Sequence, residues 1–233
     1  MPIALRDFIL IFVLIYCGSA FSDGVTIDRI YDPYVEFHER EIEWRSTFFH
    51  FDESDNVSLH KLGFGYGWTD NFFSEIYVIG ERESNTQLEA VEIEAKWQLT
   101  EQGEYAADWG LLVELEKEHD DSIYESSIAL LLAKDIQRWT ILGNLGVGYE
   151  FDDDIENEWE SSFNGQVRYR FYPHLEPGIE WYLSEDTQGL GPVAGGTIKL
   201  KGRSQVHWEN GLIVGLNDTT PDYTIKLLVE YEF

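Results

Sequence analysis

The chain has 233 residues and a formal net charge of −28, from 44 acidic and 16 basic residues. This excess of carboxylates argues against nucleic-acid binding, which needs a basic surface. A hydrophobic fraction of 43% is too high for a disordered chain, and the length fits a single domain. Mean hydropathy is −0.29. That value argues against a helical membrane protein but not against a β-barrel, in which apolar and polar residues alternate.

The beginning of the chain has the pattern of a secretory signal peptide. Arg6 gives a weakly basic start, residues 8–16 form an apolar core, and small residues follow at 18–20. Cleavage after Ala20 would remove Cys17, the single cysteine, and leave a mature chain without thiol chemistry. We therefore predict an exported protein with a signal peptide at 1–20 and a short periplasmic segment at 21–33.

From residue 34 onward, apolar and polar residues alternate with a period of two. Val167, Tyr169 and Phe171, for example, share one face of a predicted strand, while Arg168 and Arg170 share the other. Such segments recur about twelve times, each roughly ten residues long, which is the length of a tilted strand that crosses a bilayer. The predicted strands are 40–51, 59–68, 72–80, 91–99, 109–116, 124–134, 139–151, 159–171, 175–183, 192–201, 206–216 and 223–233.

The last predicted strand carries apolar side chains at every second position up to the terminal residue. These side chains are Tyr223, Ile225, Leu227, Val229, Tyr231 and Phe233. The pattern resembles the closing strand of bacterial outer-membrane β-barrels. This resemblance implies that the strand is the signal read by the barrel-assembly machinery. The alternative is an edge strand of a soluble sandwich, but such edges seldom expose so continuous an apolar stripe.

The connections between predicted strands alternate in character. One set is long and acidic, while the interleaved set is mostly tight, as at 69–71 and 202–204. Outer-membrane barrels show this asymmetry, with short periplasmic turns and longer outer loops. We therefore predict an all-β, transmembrane, antiparallel up-and-down β-barrel of about 12 strands at 34–233, with both termini periplasmic. Its partners would be outer-membrane lipid and lipopolysaccharide. The long acidic connections are 52–55, 81–84, 118–121, 152–158, 184–189 and 217–222.

One turn carries a narrower resemblance. Residues 65–72 read Gly-Tyr-Gly-Trp-Thr-Asp-Asn-Phe, which is similar to a turn in outer-membrane transporters described by likeness to the phenol meta-pathway degradation family. Residues 168–173 and 177–180 also resemble segments of that family. The resemblance implies a small barrel that passes hydrophobic or aromatic compounds, and it carries over no binding residues.

The polar faces of the predicted strands carry acids and bases together. In a barrel, the aromatic faces contact lipid and these polar faces line a wet lumen. Acids outnumber bases on them, which predicts a weak preference for cations in a pore. The predicted lumen and selectivity residues are Glu92, Glu94, Lys96, Glu114, Glu116, Arg168, Arg170, Glu176, Glu180, Lys199, Lys201, Lys226 and Glu230.

Three functions are compatible with this sequence. The first is a narrow channel or transporter for small solutes, and the second is a closed structural or interaction barrel whose lumen is filled by side chains. The third is a lipid-modifying enzyme, but no serine stands in an obvious nucleophile setting beside a histidine.

No cofactor is predicted. A run of carboxylates offers ligands for Ca²⁺, although it lacks the spacing of a calcium loop and also fits a solvated acidic loop. This run comprises Asp152, Asp153, Asp154 and Glu156.

Overall fold

The described residues of the computed structural model are 27–52, 56–82, 86–119, 123–151 and 158–233. The predicted signal peptide at 1–20 lies outside them, as do the candidate calcium ligands. In the described part of the chain, twelve strands form one closed antiparallel barrel. They are β1 Arg40–His50, β2 Val57–Thr69, β3 Phe72–Arg82, β4 Thr86–Gln98, β5 Asp108–Glu118, β6 Tyr124–Ile136, β7 Trp139–Phe151, β8 Glu158–Tyr169, β9 Glu176–Leu183, β10 Gln188–Lys199, β11 Gln205–Gly215 and β12 Tyr223–Glu232.

Each strand pairs with its neighbours in sequence, and β1 pairs with β12 to close the ring. The predicted antiparallel barrel of about 12 strands is therefore confirmed. The strand ends agree closely with the sequence pattern, except that β4 begins at Thr86 rather than at 91 and β10 begins at Gln188 rather than at 192. Gly191 lies in this extra stretch, where a Cβ would come within 1.8 Å of the Leu212 carbonyl oxygen on β11. Glycine thus belongs to the strand here and does not mark a loop.

The outer surface of the barrel is apolar, as the alternation predicts. Leu145, the central residue of β7, is 56% exposed although it lies mid-strand. Exposed aromatic residues gather near both ends of the strands, where membrane barrels carry their aromatic girdles. Trp68, Trp109, Trp139, Phe171 and Phe233 are near one end, and Tyr124, Phe151, Trp159 and Tyr223 are near the other. No helix among the described residues is long and apolar enough to cross a membrane.

The two ends of the barrel differ. We call one end the C-terminal rim; it carries the start of β1, the end of β12 and the connections 70–71, 99–107, 137–138, 170–175 and 200–204. Phe233 lies here, and its amide donates a hydrogen bond to the Arg40 carbonyl oxygen over 2.9 Å. We call the opposite end the loop rim; it carries the end of β1, the start of β12 and the strand ends that flank the predicted acidic connections. The apolar residues predicted as the assembly signal on β12 all point outward, and their role in assembly stays a prediction.

The segment that precedes β1 lies inside the barrel over residues 27–35 and reaches the C-terminal rim over 36–39. We call residues 27–39 the lumen segment. Ile27, Ile30, Tyr31, Pro33 and Val35 are buried against the inner wall. The sequence predicts a periplasmic segment at 21–33, but the described residues 27–33 lie inside the barrel. The physical reason is that their apolar and charged side chains find matching partners on the inner wall.

A substitution on the outward face tests this orientation. Leu145→Arg should destabilise the folded barrel by roughly 2–4 kcal/mol, because it places a charge in lipid near the middle of the bilayer. Leu216→Arg is a matched control, since Leu216 lies just beyond the end of β11 at the loop rim and an arginine at the interface costs only about 0–1 kcal/mol. Urea unfolding in lipid bilayers measures both costs. Equal costs would mean that Leu145 does not face lipid.

Candidate functional site: the barrel lumen

The lumen segment runs through the barrel from the loop-rim half to the C-terminal rim. At its start, Ile27 and Ile30 pack with Phe49, Tyr182 and Ile213. Phe49 and Ile213 lie near the loop-rim ends of β1 and β11, so the segment begins in that half of the lumen.

Two glycines of the wall mark where the segment passes close to the barrel near the C-terminal rim. A Cβ on Gly110 would lie 2.7 Å from the Pro33 Cβ. A Cβ on Gly67 would lie 2.0 Å from the Glu36 carbonyl oxygen. Only glycine leaves room for the segment at these two positions.

The backbone of the lumen segment is held by polar side chains of the wall. Asn144 on β7 accepts a hydrogen bond from the Tyr31 amide and donates one to the Tyr31 carbonyl oxygen, both over 2.8 Å. Gln98 accepts from the Val35 amide over 2.9 Å. The Tyr182 hydroxyl donates to the carbonyl oxygen of Asp28 over 2.7 Å. Peptide groups that would otherwise be buried without partners are therefore satisfied.

The inner wall places acidic residues directly opposite one another on neighbouring strands. Glu43 on β1 lies opposite Glu230 on β12, and Glu94 on β4 lies opposite Glu114 on β5. Like charges in register destabilise a sheet, and burial increases the cost because the local dielectric is low. Basic side chains pair with Glu43, Glu230 and Glu94 and offset this repulsion.

The first neutralising group is Arg29 of the lumen segment. Its guanidinium forms ion pairs with Glu43 and with Glu230, the latter over 2.8 Å. Because these two glutamates belong to β1 and β12, Arg29 bridges the two strands that close the barrel.

The second neutralising group is Arg45 on β1, whose side chain is 3% exposed. It forms ion pairs with Glu43, with Asp28 over 2.9 Å and with Glu94 over 3.4 Å. It also donates to the Tyr77 hydroxyl over 2.6 Å. One guanidinium thus connects the wall to the lumen segment.

The third neutralising group is Lys61 on β2. Its ammonium lies 3.3 Å from Asp28 and 3.0 Å from Glu92 on β4. Asp28 therefore sits between two basic side chains of the wall, Arg45 and Lys61.

A separate ionic cluster lies around Lys226 on β12. The Lys226 ammonium is 2.7 Å from Glu180 and 3.7 Å from Glu209. Glu209 also pairs with Arg168 over 3.3 Å. The Gln166 amide donates to Glu180 over 2.5 Å and to Glu209 over 3.1 Å. The Lys226 ammonium also donates to the Tyr182 hydroxyl, which contacts the Asp28 carbonyl oxygen, so this cluster too is connected to the lumen segment.

Small cavities lie beside the lumen segment at Arg29. Arg29 lines two cavities, each with a volume of about 10 Å³, which is room for about one water molecule.

Where the segment leaves the lumen, burial and the nearby Glu232 carboxylate raise the pKa of Glu39 to about 7. The Glu39 carboxylate therefore lowers the stability of the fold as the pH rises from 4.5 to 7.

The structure brings most of the predicted lumen residues together inside the barrel and places three of them elsewhere. Arg170 lies at the C-terminal rim, where it pairs with Asp135 over 3.1 Å. Lys199 and Lys201 are exposed at the same rim. These three predictions of a lumen position are wrong, because alternation gives the face of a strand but not the depth of a residue near its end. The lumen residues are Glu92, Glu94, Lys96, Glu114, Glu116, Arg168, Glu180, Lys226 and Glu230, with Glu176 near the C-terminal rim.

Several central residues were missed by the sequence analysis. Arg45 and Lys61 were not singled out, although their strands were predicted, and Asp28, Arg29 and Tyr31 were assigned to the periplasm. A signal was present, because 27–35 mixes isoleucine, valine and tyrosine with charges and is more apolar than an exposed linker usually is.

Within the described part of the chain, two sets of side chains have ligand atoms close enough to hold a metal ion. His207, Glu230 and Glu232 form one set, and Glu92, Glu94 and Glu114 form the other, with ligand atoms within 4.8 Å of one another. Arg29 already pairs with Glu230, and Lys61 already pairs with Glu92. Basic side chains thus supply the charge that a cation would bring, and we assign no metal site.

One Ser–His pair faces outward on the barrel wall. The Ser46 hydroxyl lies 2.5 Å from His60 Nδ1 across β1 and β2. Ser46 is fully buried, so an ester from the lipid phase has no access to its hydroxyl. The pair satisfies two polar groups within an apolar surface.

Comparisons with solved structures show the class of fold. An outer-membrane channel from Pseudomonas putida F1 is 10% identical, with a TM-score of 0.56, and the match covers 89% of this chain and 100% of that one. The KdgM porin in complex with disordered oligogalacturonate is 13% identical, with a TM-score of 0.57, over 83% of this chain and 99% of that one. The β-domain of the Bordetella autotransporter BrkA is 8% identical, with a TM-score of 0.57, over 85% and 99%.

The fold is therefore that of the outer-membrane β-barrels. No family model and no curated protein sequence matches the chain, so the narrower resemblance of residues 65–72 to one transporter family is not confirmed. A porin, a channel and an autotransporter domain share this architecture, so function has to be argued from the lumen.

Proposed function

We propose that this protein is a narrow outer-membrane channel for small polar solutes, and that the lumen segment closes it in the conformation described. Its outer surface would contact lipid and lipopolysaccharide, the loop rim would face outward, and β12 would be recognised by the barrel-assembly machinery. The proposal that small solutes pass is supported by the fold shared with the Pseudomonas channel and the KdgM porin.

The proposal rests on one observation, which is that a segment outside the sheet fills the centre of the lumen. A barrel with a purely structural lumen can be filled by side chains of its own wall. Here the centre is occupied by an extended segment outside the sheet, held by ion pairs and hydrogen bonds at Asp28, Arg29 and Tyr31. Polar contacts can exchange with water when the segment moves, so a hydrated passage would be left behind.

A closed structural or interaction barrel is the second candidate. It is favoured by the Lys226 cluster, in which Glu180 and Glu209 pair with wall residues across the lumen. Such ion pairs hold the wall rigid whether or not the segment is present.

Conductance of the refolded full chain in planar bilayers tests the proposal. We expect a low conductance and a weak preference for cations, because lumen carboxylates outnumber lumen bases. The preference should weaken in 1 M salt, where the screening length falls to about 3 Å. Reversal potentials across a salt gradient measure it. An anion preference would contradict the assignment of the selectivity to the carboxylates.

A matched pair of variants locates the selectivity. Arg168→Gln removes a positive charge from the lumen and leaves Glu209 with one ion pair fewer, so the cation preference should increase. Arg170→Gln makes the same change at the C-terminal rim and should leave the reversal potential nearly unchanged. Equal shifts would show that the constriction does not lie near Arg168.

A further inference from the structure

The lumen segment occupies its place in the barrel as a bound peptide would. Its main chain is extended, and its contacts come from wall residues that are far away in sequence, such as Asn144 and Tyr182. The wall therefore contains a set of subsites that match a peptide, and residues 28–31 fill them.

Two subsites carry opposite charge. The basic subsite is formed by Arg45 and Lys61, which lie 2.9 and 3.3 Å from the Asp28 carboxylate. The acidic subsite is formed by Glu43 and Glu230, which hold the Arg29 guanidinium. Adjacent residues of one chain reach both subsites, so a small solute with a positive and a negative group close together can also reach both.

A third subsite forms hydrogen bonds with the peptide backbone. The Asn144 side chain offers its carbonyl oxygen to the Tyr31 amide and its NH₂ group to the Tyr31 carbonyl oxygen, both over 2.8 Å. This two-point hydrogen bond matches the donor and acceptor of one residue of an extended chain. It is buried, so a solute that lacked either group would leave an Asn144 atom without a partner.

A fourth subsite accepts an aromatic side chain with a polar end. The Tyr31 ring packs with Leu112, Ala129 and Leu131. Its hydroxyl donates to Glu94 over 2.6 Å. An apolar pocket that ends in a carboxylate suits tyrosine better than phenylalanine.

From these four subsites we infer that the lumen binds short zwitterionic peptides, and that the lumen segment is an internal occupant of the same site. This inference rests on the proposed channel function and names its solute class. Peptides that carry adjacent acidic and basic groups followed by an aromatic residue fit the subsites. Neutral sugars supply neither the charges nor the fixed amide pattern.

Block of the channel by added peptide tests the inference. The full chain with Asp28→Asn and Arg29→Gln weakens the internal occupant and should conduct. A synthetic peptide with the sequence of residues 27–35 should then reduce its current, and a scrambled peptide of the same composition should need at least about tenfold higher concentration, the factor that 1.4 kcal/mol of binding represents. Adding Asn144→Leu to the same background should weaken block by the native-order peptide by a similar factor.

The outcomes separate the two proposals. No current from the segment-weakened chain, when its folding is intact by heat-modifiable mobility on gels, overturns the channel function. If both peptides block the current equally, the peptide site is overturned and the channel function stands. The same conclusion follows if the native-order peptide blocks the segment-weakened chain equally well with and without Asn144→Leu. Liposome swelling with dipeptides and with disaccharides gives an independent readout. Faster entry of the disaccharide would also contradict the inference.

Discussion

The double substitution of Asp28→Asn and Arg29→Gln in the full chain should raise the average conductance of the barrel tenfold or more. Both side chains anchor the lumen segment through ion pairs with the wall, to Arg45, Lys61 and Glu230 among others. A loss of about 1.4 kcal/mol of anchoring changes the ratio of open to closed lumens tenfold. Single-channel recording measures the effect.

The control for this prediction changes the same types of side chain where the lumen segment joins β1. Glu36→Gln with Arg40→Gln also removes one acid and one base, but both residues are exposed at the C-terminal rim. We expect no change in conductance from this pair. If both double variants open the channel alike, the segment is not held by its central ion pairs.

Replacing Arg45 with alanine should have the largest effect on stability. Arg45 is the buried partner of Glu43, Asp28 and Glu94. Removing one member of a buried ionic network costs about 3–5 kcal/mol, because the remaining charges are left without a partner. Unfolding in urea, followed by tryptophan fluorescence in bilayers, measures the loss.

Arg170→Ala provides the comparison for Arg45→Ala. Its ion pair with Asp135 lies at the C-terminal rim and is largely exposed, so its loss should cost about 0–1 kcal/mol. A third variant, Arg45→Lys, keeps the charge but not the forked geometry, and its cost should fall between the two. A cost for Arg45→Ala no greater than that of Arg170→Ala would show that solvent reaches the centre of the lumen.

The sequence predicts the barrel well because its period of two is a direct result of strand geometry. The strand at 139–151 was predicted residue for residue, and Leu145 and Val147 on it are exposed as expected for a lipid-facing side. The lumen was predicted less well, because depth along a strand and contacts across a barrel leave no local pattern. Asn144 and Tyr31 are 113 residues apart in sequence, and nothing near either residue indicates the other.

The position of Arg29 has a consequence for how the barrel assembles. β1 and β12 stand at opposite ends of the strand order, so their pairing joins the two strands that are farthest apart in sequence. When these strands meet, Glu43 and Glu230 are brought face to face, and their repulsion opposes the final step. A guanidinium already placed between them turns that repulsion into attraction. We therefore expect the lumen segment to favour closure of the ring, since Arg29 pairs with both carboxylates in the closed barrel.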